Sequence, residues 1–350
     1  MKKSTHWKQV NRLRAIERKR CRISAAGARA EKRFRQIASR DMRLFDECRV
    51  LAPNVFAIDS EHHDGVVDFL SSLRRAFVKG DKIICIDFRG TELMVAAGTL
   101  LFFSELQRLI HIYPLSVRKC IPSKDNVVNQ VLEHLGIFEA LGFDSGVVPT
   151  RSDVISWRKA ASGDIDGDKV GELLLTYKSL ANKTAAKLFR GAGEAMVNVR
   201  HAYLQHRNDG LPDIGPKKWW MFCRESNDTM LVAVCDLGIG IPRSLPLKYP
   251  AEMIDALISK FRSAAHNNDA RMIRAAMEIE RSSTNLRGRG KGLKDFLKVV
   301  EGVAGSKLYI FSNRGLVRYD GQELKQITFS RSIRGTLVVW SVPINRELAV

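Results

Sequence analysis

The order of elements in this chain predicts an α/β protein: a small α/β domain followed by an α/β sandwich, with a basic helical N-terminal arm. Strand-like and helix-like segments alternate between residues 50 and 145, as in strands joined by helical crossovers. From residue 169 a long helical stretch leads into a hairpin and closing strands, the order of helices laid over one sheet. Charge marks off the arm. Residues 1–50 hold 16 Lys and Arg against five acids, so this stretch carries +11 of the net +19.

With 45% hydrophobic and 27% charged residues over 350 positions, disorder and fibrous repeats are excluded. The positive field would draw nucleic acid, an anionic membrane or an acidic ligand such as a nucleotide. The longest apolar run, Leu93 to Phe103, falls short of the ~20 residues a membrane span needs. No transmembrane segment is expected, and no apolar signal region follows Met1. The six cysteines form no CxxC pair and several sit in apolar runs, which predicts a reducing, cytoplasmic setting.

The elements divide the chain into an arm at 1–48, a small α/β domain at 49–145, a linker at 146–168 and the sandwich at 169–350. In the arm, Phe34, Ile37, Met42 and Phe45 keep near-helical spacing among basic residues, so 5–45 reads as one or two basic helices. They are either solvated or in contact with nucleic acid or anionic membrane. The small domain reads as a helix at 64–78, a strand at 82–88, a helix near 97–112, a strand at 115–121 and a helix at 125–141 capped by Asp125. Segment 146–168 is rich in Gly, Ser and Asp and loses periodicity. The sandwich reads as a helix at 173–203, a hairpin of 218–225 with 229–235, a polar helical insertion at 243–287, a helix at 292–303, and strands at 306–312 and 335–342.

Four motifs follow one another in that second unit. Glu194 and Asn198 stand at i and i+4 and project from one helix face. DLGIGIP, residues 236–242, ends the second hairpin strand; GRGKGL, 288–293, opens a helix; Gly335 and Thr336 begin the last strand. Each alone has a plain structural explanation: an exposed polar pair, a strand-ending glycine turn, a flexible loop. GRGKGL is neither a P-loop nor a dinucleotide fingerprint. In this order and spacing they resemble the Bergerat-type ATP-binding fold of the GHKL superfamily, over roughly residues 170–345.

That resemblance implies ATP and Mg²⁺ as cofactors. Asp236 would accept a hydrogen bond from the adenine amine, Gly238 and Gly240 would let the backbone approach the nucleotide, and Thr336 would support Asp236 through water. Asn198 would ligate Mg²⁺ through its oxygen. Gly288, Gly290 and Gly292 would offer N–H groups to the phosphates at a helix start, with Lys291 adding a point charge. The insertion at 243–287 corresponds to the family's ATP lid, where Arg281, Ser282, Ser283, Thr284, Arg287 and Arg289 are candidate phosphate contacts. Glu194 corresponds to the general base of the family's ATPases and serine kinases. His201 follows Asn198 by three residues where many relatives place a His at four, so it reads as a packing residue.

The first unit also has a resemblance. Residues 83–103, IICIDFRGTELMVAAGTLLFF, look like the core of a STAS domain, here extending over about 65–142. Phosphorylated members carry Ser where this chain has Ala96-Ala97-Gly98, so no phosphoacceptor is expected there; Thr91 and Thr99 lie off-position. Taken together, the expected protein is an Mg-ATP-binding regulatory ATPase or an anti-sigma-like serine kinase. It would couple ATP binding and lid closure to a protein partner, with dimerisation possible, since many relatives dimerise on ATP. The alternatives are a non-catalytic nucleotide-sensing module, or a nucleic-acid-associated ATPase that uses arm 1–45.

Overall fold

The structure, a computed structural model, describes residues 47–80, 83–163, 167–175, 182–212, 216–226, 228–261, 269–282 and 292–344. The expected basic helices at 5–45 lie outside them. The chain is a mixed α/β protein with one parallel and one antiparallel main sheet. Among the described residues no helix is long and apolar enough to cross a membrane.

The first unit begins with β1 (Glu47–Leu51), then β2 (Val55–Phe56), α1 (His63–Lys79), β3 (Ile83–Asp87) and β4 (Leu93–Met94). It continues with α2 (Ala96–Ile112), β5 (Arg118–Ile121), α3 (Asn126–His134) and α4 (Ile137–Ala140). Strands β1, β3 and β5 form a parallel sheet with β3 at its centre. The Asp125 carboxylate accepts the N–H groups of Val127 and Val128, a side-chain cap at the start of α3. The single helix expected at 125–141 breaks at Gly136, which adopts a left-handed φ of 69°. Small residues at 96–98 serve close packing: a Cβ on Gly98 would stand 2.4 Å from the Phe56 carbonyl oxygen. Thr91 and Thr99 are buried.

Segment 146–168, expected to be a linker, carries α5 (Ser152–Ile155) and β6 (Arg158–Ser162). Strand β6 pairs with β7 (Trp219–Ser226) and becomes an edge of the second sheet. The helix expected at 173–203 appears as α6 (Gly167–Leu175) and α7 (Asn182–Ala202). After β8 (Thr229–Asp236) come α8 (Ile241–Ser244), a 3₁₀ turn at Leu245–Leu247, α9 (Ala251–Ile258), α10 (Asp269–Ser282) and α11 (Gly292–Val300). The chain closes with β9 (Lys307–Ser312), β10 (Gly315–Tyr319), β11 (Leu324–Thr328) and β12 (Thr336–Pro343). The antiparallel sheet runs β11-β10-β9-β12-β8-β7-β6.

Both faces of this sheet are covered. Along β8, Met230, Val232 and Val234 face α7, α10 and α11, while Ala233 and Cys235 face the opposite way. The second face is packed by α2 of the first unit: Phe103 meets Phe222 at 5.4 Å between ring centroids, and Trp220 Nε1 donates to Gln107 Oε1 at 2.8 Å. One hydrophobic core therefore runs from the parallel sheet to the antiparallel one. Part of the segment expected as a lid is also fixed. Ile273, Ala276 and Ile279 of α10 recur at helical spacing and are buried against the sheet. The described cysteines are free; burial pushes the Cys85 thiol up to about 11 and Cys120 to about 12, so they pack as small apolar groups.

Candidate functional site

Asp236 is the last residue of β8 and pairs in register with Thr336, the first of β12. It shares the side-chain parity of Val232 and Val234 and so faces the helices. Its carboxylate is buried and accepts the Gly238 N–H at 2.8 Å. Thr336, whose hydroxyl lies 3.2 Å from Ser312 Oγ, also favours the charged form of the carboxyl. Loss of solvation outweighs these hydrogen bonds and the nearby Arg207 charge, and raises the Asp236 pKa to about 6.

The turn after Asp236 is clamped to its surroundings. A Cβ on Gly238 would stand 2.3 Å from the Ala202 carbonyl oxygen at the end of α7. Gly240 has φ +80°, and a Cβ there would meet Asn313 Nδ2 at 2.7 Å and Ser312 Oγ at 2.9 Å. Glycine is thus required at both positions so that the turn can lie against protein; approach to a ligand is not the immediate reason. Ile241 N–H donates to Ser312 Oγ at 2.8 Å and Asn313 Nδ2 donates to the Ile239 carbonyl at 2.9 Å. Tyr203 completes the clamp: its hydroxyl accepts the Leu237 N–H at 3.1 Å and donates to the Lys218 carbonyl at 2.9 Å.

Below this turn opens a cleft. Asp236 and Thr336 line its floor, Asn198 and Ala202 of α7 one wall, and Leu245 with Phe296 the apolar remainder. Its enclosed space is about 60 Å³. That is room for a few waters. His201 and Lys248 also line it. Burial, and then the Lys248 charge, hold the His201 imidazole below its ordinary pKa. The cleft therefore pairs an acceptor, Asp236, with the Lys248 cation and a neutral His201 imidazole, a suitable distribution for a ligand with a donor at one end and negative charge at the other.

Of the residues singled out in the sequence, the fold brings Asn198, Asp236, Gly240 and Thr336 together around this cleft, with Gly238 in the adjoining turn. Gly292 is the first residue of α11. Glu194 lies one turn before Asn198 on α7, half-buried and outside the cleft lining. Gly288, Gly290 and Lys291 fall outside the described residues, as do Ser283, Thr284, Arg287 and Arg289. Sequence reasoning missed Ser312, Asn313, Tyr203 and Lys248, since nothing local links a strand-ending Ser-Asn pair to a turn more than seventy residues earlier. Neither a protein-family model nor a curated protein nor a solved structure matches the chain.

Proposed function

We propose that the cleft beneath Asp236 binds Mg-ATP in the manner of the GHKL superfamily, and that occupancy is transmitted to a protein partner through the STAS-like unit docked on the same sheet. The buried Asp236 carboxylate carries this reading. Part of its accepting capacity is met by the Gly238 N–H. The rest faces a narrow, largely apolar cleft, where an adenine amine is a matching donor. Among the described residues no cluster of three His, Cys, Asp or Glu forms a protein-built metal site. Mg²⁺ needs none when phosphate oxygens and waters complete its shell, and Asn198 offers the side-chain oxygen on the cleft wall. Bound there, the ion would neutralise phosphate charge.

Two chemistries follow from Glu194: proton abstraction from water, giving hydrolysis, or from a protein serine hydroxyl, giving phosphotransfer. Glu194→Gln is expected to keep ATP binding and abolish turnover, read as phosphate release and as label transfer from γ-labelled ATP. Undiminished turnover would remove Glu194 from the mechanism. A second reading, a nucleotide sensor without turnover, is favoured by the position of Glu194 outside the cleft lining. It predicts intact ATP after long incubation of the unmodified protein. ATP supply and reduced thiols both suit a cytoplasmic setting, and the basic arm leaves a nucleic-acid partner open to a salt-dependent binding assay.

A further inference from the structure

The glycine turn is a partition between two cavities. Asp236 and Gly240 line the cleft described above, whereas Gly238 and Ile239 line a second cavity of about 250 Å³. Four arginines meet on its walls: Arg207, Arg243, Arg314 and Arg334. Among the described lining residues the one carboxylate is Asp269, whose Oδ2 accepts the Arg314 backbone N–H at 2.9 Å.

These guanidiniums are under-supplied with acceptors. Arg207 is buried, gives Nη1 to Glu105 at 3.1 Å, lies with Nε 3.4 Å from Asp209, and has no hydrogen-bond partner for Nη2 among the described residues. Arg334 is half-buried, on a left-handed backbone with φ 55°, and no described side chain or carbonyl accepts from its guanidinium. Arg243 spends Nη1 on the Arg207 carbonyl at 2.9 Å. Behind the cavity Arg74 and Arg108 press on Arg334, and burial and their charge hold its pKa down. Six guanidiniums (Arg74, Arg108, Arg207, Arg243, Arg314, Arg334) thus gather with four carboxylates (Glu105, Asp209, Asp236, Asp269), leaving a surplus of two positive charges around partly desolvated space.

We propose that this second cavity is a binding site for a small ligand bearing two or more phosphate groups, held by the Arg314 and Arg334 forks with Arg207 at the base. Planar guanidinium forks match phosphate oxygens in pairs, and the ligand's charge would offset the surplus. At the ~30 Å³ that a water occupies in the liquid, the cavity has room for about eight waters, more than one phosphate fills. The site is separate from the proposed ATP cleft and does not rest on it.

The test is calorimetry of inorganic pyrophosphate with the full chain at fixed ionic strength. Arg314→Gln/Arg334→Gln is expected to weaken pyrophosphate at least tenfold, and Lys307→Gln, at an exposed lysine that lines neither cavity, to leave it within twofold. Arg314 is exposed, so Arg314→Gln alone should melt like the parent and still weaken binding several-fold; this single variant decides if the double does not fold. A short DNA duplex should fail to displace pyrophosphate. The proposal is overturned by no pyrophosphate binding to the parent, by equal affinity in the Arg314 variants, by an equal loss in Lys307→Gln, or by displacement with DNA, which would assign the arginines to a phosphodiester backbone.

Discussion

Two carboxylates are buried on opposite faces of the antiparallel sheet, and their surroundings differ in kind. Glu105, on α2, is fully enclosed and meets Arg74 Nε at 2.6 Å, Arg207 Nη1 at 3.1 Å and Arg108 Nη1 at 3.5 Å. Burial pulls its pKa upward, but the three guanidiniums win and hold the carboxyl well below the usual range. Asp236 is almost as buried, yet among the described residues it accepts the Gly238 N–H and meets no charged group in a salt bridge, and there burial wins, with a pKa of about 6. Direct charge partners make the difference. A carboxylate with its charge neutralised joins two halves of a protein; one left short of donors is available to a ligand.

The largest expected effect breaks the Glu105 side. Glu105→Gln removes the charge opposing three buried arginines, and should cost about 3–5 kcal/mol of unfolding free energy. Urea denaturation measures this, and a loss under 1 kcal/mol would mean that the cluster does not join the halves. Asp236→Asn should act in the reverse sense. It removes the proposed acceptor for the adenine amine and is expected to weaken ATP by ~1–3 kcal/mol in calorimetry, while stability at pH 7 holds or rises because a poorly compensated buried charge has gone. Unchanged ATP affinity in that variant would end the adenine reading.

Acid pH sharpens the contrast further. Between the ordinary Asp value of 3.8 and about 6, the unfolded chain has released a proton that native Asp236 still holds, so its contribution to stability declines as pH rises through this window and is level above it. Glu105 has the opposite sign: its contribution is complete above its unfolded value and is lost as pH falls below the ordinary 4.5. ATP affinity should drop as pH falls through about 6, where Asp236 takes up its proton. Asp236→Asn should abolish both the affinity drop and the decline in stability that Asp236 adds between about pH 4 and 6, as followed by calorimetry and denaturation across pH. The smallest effect belongs to Thr336→Val, which removes a hydroxyl that favours the charged form of Asp236. It should weaken ATP by ~0.5–1.5 kcal/mol and move the affinity drop to higher pH; an unmoved midpoint would separate Thr336 from the carboxylate.

Much of the local structure was legible in the residues. The helix of α1, the strand of β3, the 219–236 hairpin and the Asp125 cap follow from periodicity and capping chemistry alone. Strands β10 and β11 were missed because Gly315–Tyr319 and Leu324–Thr328 are short and only partly apolar. One signal was present and unused. Strand segments such as 219–223 and 230–235 are apolar at nearly every position, as strands buried on both faces must be.

The sequence by itself determined the α/β class, the succession of glycine turns, Asn198 and Asp236 along the chain, and the concentration of charge in residues 1–50. These are legible because helix period, strand alternation and turn chemistry act over a few neighbouring residues. Tertiary structure alone decided that α2 covers the second face of the sheet, that Glu105 meets Arg207 across 102 positions, and that Ser312 and Asn313 brace the turn after Asp236. Such pairings depend on which surfaces bury one another best, and burial is set by the whole fold.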